Sequence, residues 1–232
     1  MDEQLIASNT LVRNGQPFLN LVLRQAEPYM NRMLITISEK SNDGSLEVLR
    51  KLEHDFPRKV RIYFENVSDP SELTTMRQRM ADDTYEDWIL FLDDDDLWPK
   101  ESMDEMMRLV RENVDGYAVS PIQVVDQNYY DKHWYEHKYF AKWFQNKDIN
   151  YAGPWPRDMI LSGDRELYWK KNSRVKRLNG KYFHLSNIKP SSFRKEKWSK
   201  GHYVEEIKNR SEYPDWCKKY IEKIYDQFRT YK

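Results

Sequence analysis

The segment Phe91–Pro99 reads FLDDDDLWP. Asp93, Asp94, Asp95 and Asp96 follow directly on the apolar run Trp88–Leu92, WILFL. Adjacent carboxylates repel at close range unless positive charge neutralises them. Aspartate oxygens suit hard divalent ions such as Mg²⁺ or Mn²⁺, which keep open positions for water or for phosphate oxygens. A carboxylate-held ion facing a diphosphate is the chemistry such a run can do. The structural alternative is a solvated acidic turn, or the N-terminus of a helix opening after Pro99, where negative charge is favoured.

Carboxylates of this kind need a rigid platform, and the flanking sequence supplies alternating strands and helices. Gln4–Ser8, Met33–Ser38, Val60–Val67, Asp87–Leu92 and Gly116–Asp126 carry strand patterns. Asp87–Leu92 is nearly continuous in apolar residues, as expected of a strand buried on both faces. Gln16–Glu27 places Phe18, Leu19, Val22 and Leu23 on one helical face. Leu46, Leu49, Leu52 and Phe56 follow at helical spacing behind Asp43-Gly44-Ser45, a helix start. Leu73–Met80 predicts a short helix, and Ser102-x-x-Glu105 reads as a capping box for a helix carrying Met103, Met106, Met107 and Val110. This order implies an α/β fold with a mainly parallel sheet flanked by helices. Ligands bind beyond the carboxyl ends of such strands, and the aspartate run sits at one of those ends.

Past Asp126 the pattern loosens. A helix is expected for part of 127–157, and a closing helix over Ser211–Lys232, with Trp216, Tyr220, Ile224 and Phe228 on one face. Charge divides along the chain. Residues 1–116 hold 14 Lys and Arg against 24 Asp and Glu, whereas residues 117–232 hold 24 against 14. Aromatics divide similarly, 9 against 24. Such asymmetry points either to a polyanionic partner or to two halves that neutralise each other across an interface. No stretch approaches the roughly 18 to 20 apolar residues of a membrane span. MDEQLIASNT lacks the pattern of a signal peptide. The single cysteine, Cys217, excludes an internal disulfide and fits a reducing compartment, so a cytoplasmic location is expected. Nothing in the sequence sets an oligomeric state.

Three segments resemble the GT-A-fold glycosyltransferases, specifically the inverting family 2. They are IASNTLVRNGQPFL (Ile6–Leu19), ITISEKSNDGS (Ile35–Ser45) and WILFLDDDDLWP (Trp88–Pro99). Together the resemblance covers roughly residues 4–125. It implies a nucleotide-sugar-binding core over 1–126 and an acceptor-binding region over 127–232, packed as one unit. Asp93 and Asp95 then occupy the D-x-D positions, Asp95 as the leading ligand of Mn²⁺ or Mg²⁺ and Asp93 facing the ribose or the metal, with Asp94 beside them on the nucleotide-sugar and Asp96 reaching toward sugar or acceptor. Thr10 and Glu39 would line the nucleoside pocket with Asp43, although Asp is commoner than Glu at position 39. Arg77 and Arg79 would approach the diphosphate, where bidentate donors suit phosphate oxygens. Either arginine is equally well read as helix-surface charge. A UDP-sugar is the donor the resemblance suggests.

Inverting transfer needs a carboxylate to deprotonate the acceptor hydroxyl. The segment SGDRELYW (Ser162–Trp169) offers Asp164, then Glu166, with Asp158 just before it. The order Gly-Asp-Arg-Glu departs from the family's Gly-Glu-Asp-like pattern, and these carboxylates also fit surface ion pairs. His184, in YFHLSN, is a candidate third metal ligand or a hydrogen-bonded core residue. His133 and His137 are read as structural or acceptor-side.

The basic, aromatic segments KKNSRVKR (Lys170–Arg177) and KPSSFRKEKWSKGHY (Lys189–Tyr203) suit phosphates and stacked bases or sugars. The leading acceptor is a 5-hydroxymethylated pyrimidine in DNA, because this arrangement resembles virus-encoded DNA-modifying enzymes. A surface polysaccharide or glycolipid is the alternative, favoured if an amphipathic helix lies near Tyr135–Lys147. A non-catalytic nucleotide- or nucleic-acid-binding module is the alternative of another class, although the intact aspartate run argues against it.

Overall fold

The computed structural model describes residues 4–66, 72–131, 140–153, 159–168, 172, 174–189 and 210–230. The first half runs β1 (Ile6–Val12), α1 (Leu19–Ala26), β2 (Arg32–Ser38), α2 (Ser45–Asp55), β3 (Val60–Glu65), α3 (Glu72–Asp82) and β4 (Trp88–Phe91). Then come β5 (Asp96–Leu97), α4 (Lys100–Leu109), β6 (Gly116–Val124), β7 (Tyr129–Asp131) and β8 (Phe140–Gln145). The remainder holds β9 (Ile149–Ala152), β10 (Met159–Ser162), β11 (Arg165–Glu166), β12 (Val175–His184), β13 (Arg210–Glu212) and α5 (Lys218–Thr230).

β1 lies between β2 and β4, parallel to both, and β3 continues the parallel set. β8 enters antiparallel between β4 and β6. β12 runs parallel to β6 and, at its far end, antiparallel to the two-residue β5. β7 and β13 extend the edge beyond β6. β9, β10 and β11 form a separate antiparallel sheet.

Side chains alternate across the main sheet, and both faces are covered. Trp88, Leu90 and Leu92 join the main core with Leu19 and Leu23 of α1, Leu49 and Leu52 of α2, and Met103 and Met106 of α4. Ile89 and Phe91 point the other way, into a second core with Ala81, Ala118 and Phe144. This explains the unbroken apolar run of β4.

Several boundaries differ from the sequence reading. The first strand begins at Ile6 and runs through Thr10 to Val12. Pro17 follows a cis peptide and α1 starts only at Leu19. Ser102 and Glu105 do not cap α4, which begins at Lys100 after Pro99. Ser102 Oγ instead accepts from Lys181 N (2.9 Å) and donates to Lys181 O (2.7 Å), and Glu105 Oε2 accepts from Gly180 N (2.8 Å). These bonds satisfy β12 where its register against β6 shifts, between Arg177 and Lys181. The described parts of 127–157 are strands rather than helix, so Phe140–Gln145 offers no amphipathic helix. The closing helix is shorter than expected, because Ser211 and Glu212 pair with β7 and Pro214 interrupts before α5.

Much of the charge asymmetry is internal. Lys176 pairs with Glu112, Arg165 and Arg174 with Asp115, and Lys219 with Glu101. Lys142 and Lys189 pair with the aspartate run itself. Most of Lys170–Arg177 is described, but only Lys189 of Lys189–Tyr203 is. No helix among the described residues is long and apolar enough to cross a membrane.

Candidate active site

The four aspartates lie where β4 ends. A turn closed by Asp96 N donating to Asp93 O (3.1 Å) fans them out, and Leu185 N donates to Asp95 O (2.8 Å). β12 thereby delivers His184 to the same place. Its Nδ1 lies 2.7 Å from Asp96 Oδ1 and 3.6 Å from Asp95 Oδ1. Asp95, Asp96 and His184 each present one ligand atom, all within 4.8 Å of one another. Asp96 is fully buried, and burial, the first cause, raises its carboxyl above the ordinary value despite Lys142. Two carboxylates and an imidazole form a donor set that a divalent cation satisfies.

Asp93 and Asp94 are engaged differently. Lys142 Nζ lies 2.6 Å from Asp93 Oδ2 and 2.6 Å from Asp96 Oδ2. The first contact is a hydrogen bond. The second is an ion pair at the same distance, to the buried Oδ2 of Asp96. Burial raises the Asp93 carboxyl, but Lys142 and then Arg77 outweigh it, so the group is held below the ordinary carboxylate value. Lys189 Nζ donates to Asp94 Oδ1 at 2.6 Å. Burial nevertheless pushes Asp94 up to about 7, against the pull of Lys189 and with help from Asp95.

Arg77 joins this cluster and Arg79 does not. Arg77 stacks over Phe91 (4.3 Å) and approaches Asp93 Oδ1 at 3.8 Å. Arg79 is exposed and pairs with Glu65 at 2.8 Å. The loops after β1 and β2 are tied together beside the cluster. Asp43 Oδ2 accepts from Gln16 N (2.8 Å), and its Oδ1 accepts from Ser45 Oγ (2.6 Å), which itself accepts from Gly15 N (2.8 Å). Asp43 thereby ties the two loops together. Glu39 is exposed just after β2, whereas Thr10 lies inside β1, fully buried with an unpartnered hydroxyl. Thr10 shares its face with Ile35 of the main core.

Asp164 and Glu166 are not brought to the aspartates. Asp164 is exposed in the β10–β11 turn and Glu166 lies in β11. The intervening Arg165 pairs with Asp115 (3.2 Å), which precedes β6. That is the amino end of the parallel strands, opposite the end that carries Asp93. Asp158, His133 and His137 lie outside the described residues. Sequence reasoning missed Lys142 as a partner of the run and ranked Asp96 behind Asp93 as a ligand. A lysine in the strand FAKWFQ carries no local signature; only its pairing beside β4 reveals it.

The doubly covered, mainly parallel sheet with its acidic strand end defines a GT-A fold. The crystal structure of S. aureus TarS 1–349 is similar, with a TM-score of 0.55 at 12% identity over 80% of this chain and 62% of that one. TarS 1–349 in complex with UDP aligns at TM-score 0.44 and 12% identity over 52% of this chain and 36% of that chain. The mannosyltransferase PcManGT from Pyrobaculum calidifontis, in complex with GDP-Man and Mn²⁺, aligns at TM-score 0.42 and 15% identity over 51% and 35%. This chain therefore spans less than two thirds of each of these solved chains. No curated protein sequence matches it significantly. The model of Glycosyl transferase family 2 matches residues 16–176, and the chain belongs to that family.

Proposed function

We propose that this chain is a metal-dependent, inverting glycosyltransferase that moves a sugar from a nucleotide-sugar, a UDP-sugar first, to an acceptor hydroxyl. Membership in family 2 supports the class of reaction. The observation that carries the mechanism is the convergence of Asp95, Asp96 and His184 at the carboxyl end of β4. These three residues would hold Mn²⁺ or Mg²⁺, with Asp93 of the D-x-D pair alongside. A divalent ion bound there supplies positive charge where the leaving diphosphate develops negative charge. Arg77 adds a fixed guanidinium next to Asp93, suited to a phosphate oxygen. In the transfer, the acceptor oxygen bonds to the anomeric carbon. The anomeric carbon–phosphate oxygen bond breaks, and its electron pair leaves on the diphosphate. A carboxylate takes the hydroxyl proton. Of the Asp158–Glu166 region, Asp158 is the candidate for that base, because Asp164 and Glu166 stand at the opposite end of the strands from Asp93; Asp158→Asn, Asp164→Asn and Glu166→Gln separate the three.

The acceptor reading rests on the basic, aromatic second half. A hydroxymethylated pyrimidine in DNA is the leading acceptor, in the manner of viral DNA-modifying enzymes, and a glycan or glycolipid is the alternative. The pairing of Lys142, Lys176 and Lys189 with first-half carboxylates favours an internal role for those cations and so supports the alternative.

The test is nucleotide release from a panel of nucleotide-sugars with Mn²⁺, with and without hydroxymethylated duplex DNA, comparing wild type with Asp95→Ala. Release lost in Asp95→Ala supports the transferase. Dependence of that release on DNA supports the DNA acceptor; independence turns the search to glycans. Absence of both release and metal-dependent donor binding overturns the proposal.

A further inference from the structure

Four carboxylates in a row require compensation before any divalent ion arrives. Among the described residues Lys189 supplies it to Asp94 and Arg77 approaches Asp93, while Lys142 stands at the centre of the cluster. Lys142 Nζ sits 2.6 Å from both Asp93 and Asp96, and its side chain is only 6% exposed. It also lies over the rings of Phe91 (4.6 Å) and Tyr182 (5.3 Å). Tyr182 is in turn stacked on Trp98 at 5.1 Å, so the aromatic wall is fixed. The backbone aims the side chain there. Along β8, Trp143 is opposite Tyr117 and Ala141 is opposite Ala118, which makes Lys142 the extra residue of a bulge. Bulges re-aim side chains beside active sites.

We propose that Lys142 is the resident counter-ion of the donor site, a positioning residue that compensates Asp93 and Asp96 and holds them in place whether or not a divalent ion is bound. Its ammonium takes the Oδ2 side of Asp96 and leaves Oδ1 to face His184 and Asp95. Asp96 is thereby limited to one ligand oxygen, and Asp93 is drawn off to the lysine. A divalent ion binds there against the repulsion of a fixed positive charge, which makes binding weaker and more readily reversed. Only the metal arm of this inference rests on the glycosyltransferase reading. Compensation of Asp96 by Lys142 stands without it.

The experiment compares thermal melting of wild type, Lys142→Met and Lys142→Met/Asp96→Asn in EDTA, then repeats wild type and Lys142→Met in Mn²⁺ with Mn²⁺ affinity read by electron paramagnetic resonance. Breaking a buried pair leaves an uncompensated charge, so Lys142→Met melts lower than wild type by about 10 °C in EDTA. Adding Asp96→Asn removes that charge and recovers more than half of the loss. Mn²⁺ binds Lys142→Met about tenfold more tightly than wild type once the repulsion is gone. A loss that Asp96→Asn does not relieve, including failure of both variants to fold, overturns the proposal and makes Lys142 a packing residue. No loss in Lys142→Met overturns it as well. If neither protein binds Mn²⁺, the metal-dependent reading falls, while the EDTA comparison still decides the role of Lys142.

Discussion

Asp96 Oδ1 and His184 Nδ1 meet at 2.7 Å although 88 residues separate them in sequence. The contact exists because β5 pairs antiparallel with the end of β12, placing His184 opposite Asp96 in register. A histidine hydrogen-bonded to a carboxylate is fixed in orientation, as metal-site histidines generally are. His184→Ala and Asp95→Asn are each expected to weaken Mn²⁺ binding by at least about tenfold, near 1.4 kcal/mol. Arg79→Ala, which breaks only an exposed pair with Glu65, leaves it unchanged. Titration of Mn²⁺ followed by paramagnetic resonance measures all three. Equal affinity in His184→Ala and wild type would remove the histidine from the ion site.

The platform of this site was legible in the sequence because β4 is buried on both faces, and such a strand must read as an apolar run that stops where solvent begins. The aspartates at that stop followed from residue type and position, whereas His184 was singled out through the family resemblance, with a hydrogen-bonded core role left open beside it. Lys142 and Lys189 were not legible, since they lie 49 and 95 residues from the carboxylates they bind and no periodicity marks them. Ser102 and Glu105 misled for a physical reason. Their spacing is that of a cap, but the backbone groups they satisfy belong to β12, where the register shift leaves Gly180 N and Lys181 N within their reach. Asp43 was singled out by the resemblance, and among its partners are Gln16 and Ser45 of the neighbouring loop and helix start.

Gly180 is required by that same junction. A Cβ there would stand 2.8 Å from Ser102 Oγ and 2.9 Å from Glu105 Oε2. Gly180→Ala is expected to destabilise the fold by about 1–3 kcal/mol, as overpacking does. Urea denaturation checks it. The loss should shrink when Ser102→Gly is added, because Ser102 Oγ and its Cβ, which would also stand 2.9 Å away, are then both gone. Additive losses in the double variant would place the strain elsewhere.

Cys217 is fully buried between Pro214 and α5, and burial pushes its thiol up to about 12. A thiol that is neither ionised nor exposed does not attack disulfide reagents. The native protein is expected to resist labelling by such a reagent at pH 8, and to release one equivalent of chromophore on unfolding in guanidinium. Labelling of the native protein within minutes would show that α5 opens readily.

Acid should loosen the same helix from its other side. Glu101, at the start of α4, accepts from Lys219 Nζ (2.5 Å) and from the Tyr220 hydroxyl (2.5 Å) of α5. These bonds, that to Lys219 first, hold its carboxyl near 2, against an ordinary 4.5. A carboxyl lowered in the folded state stabilises the fold above its unfolded value and loses that contribution as pH falls toward the folded one. The window here runs from about pH 4.5 down to about 2. Because the side chain is 61% exposed, solvent and salt screen the effect. Melting temperatures of Glu101→Gln should therefore lie below wild type at pH 6, with the gap closing as pH falls through this window and narrowing in high salt. A gap that persists unchanged at pH 2 would mean that the glutamate acts through packing and not through its charge.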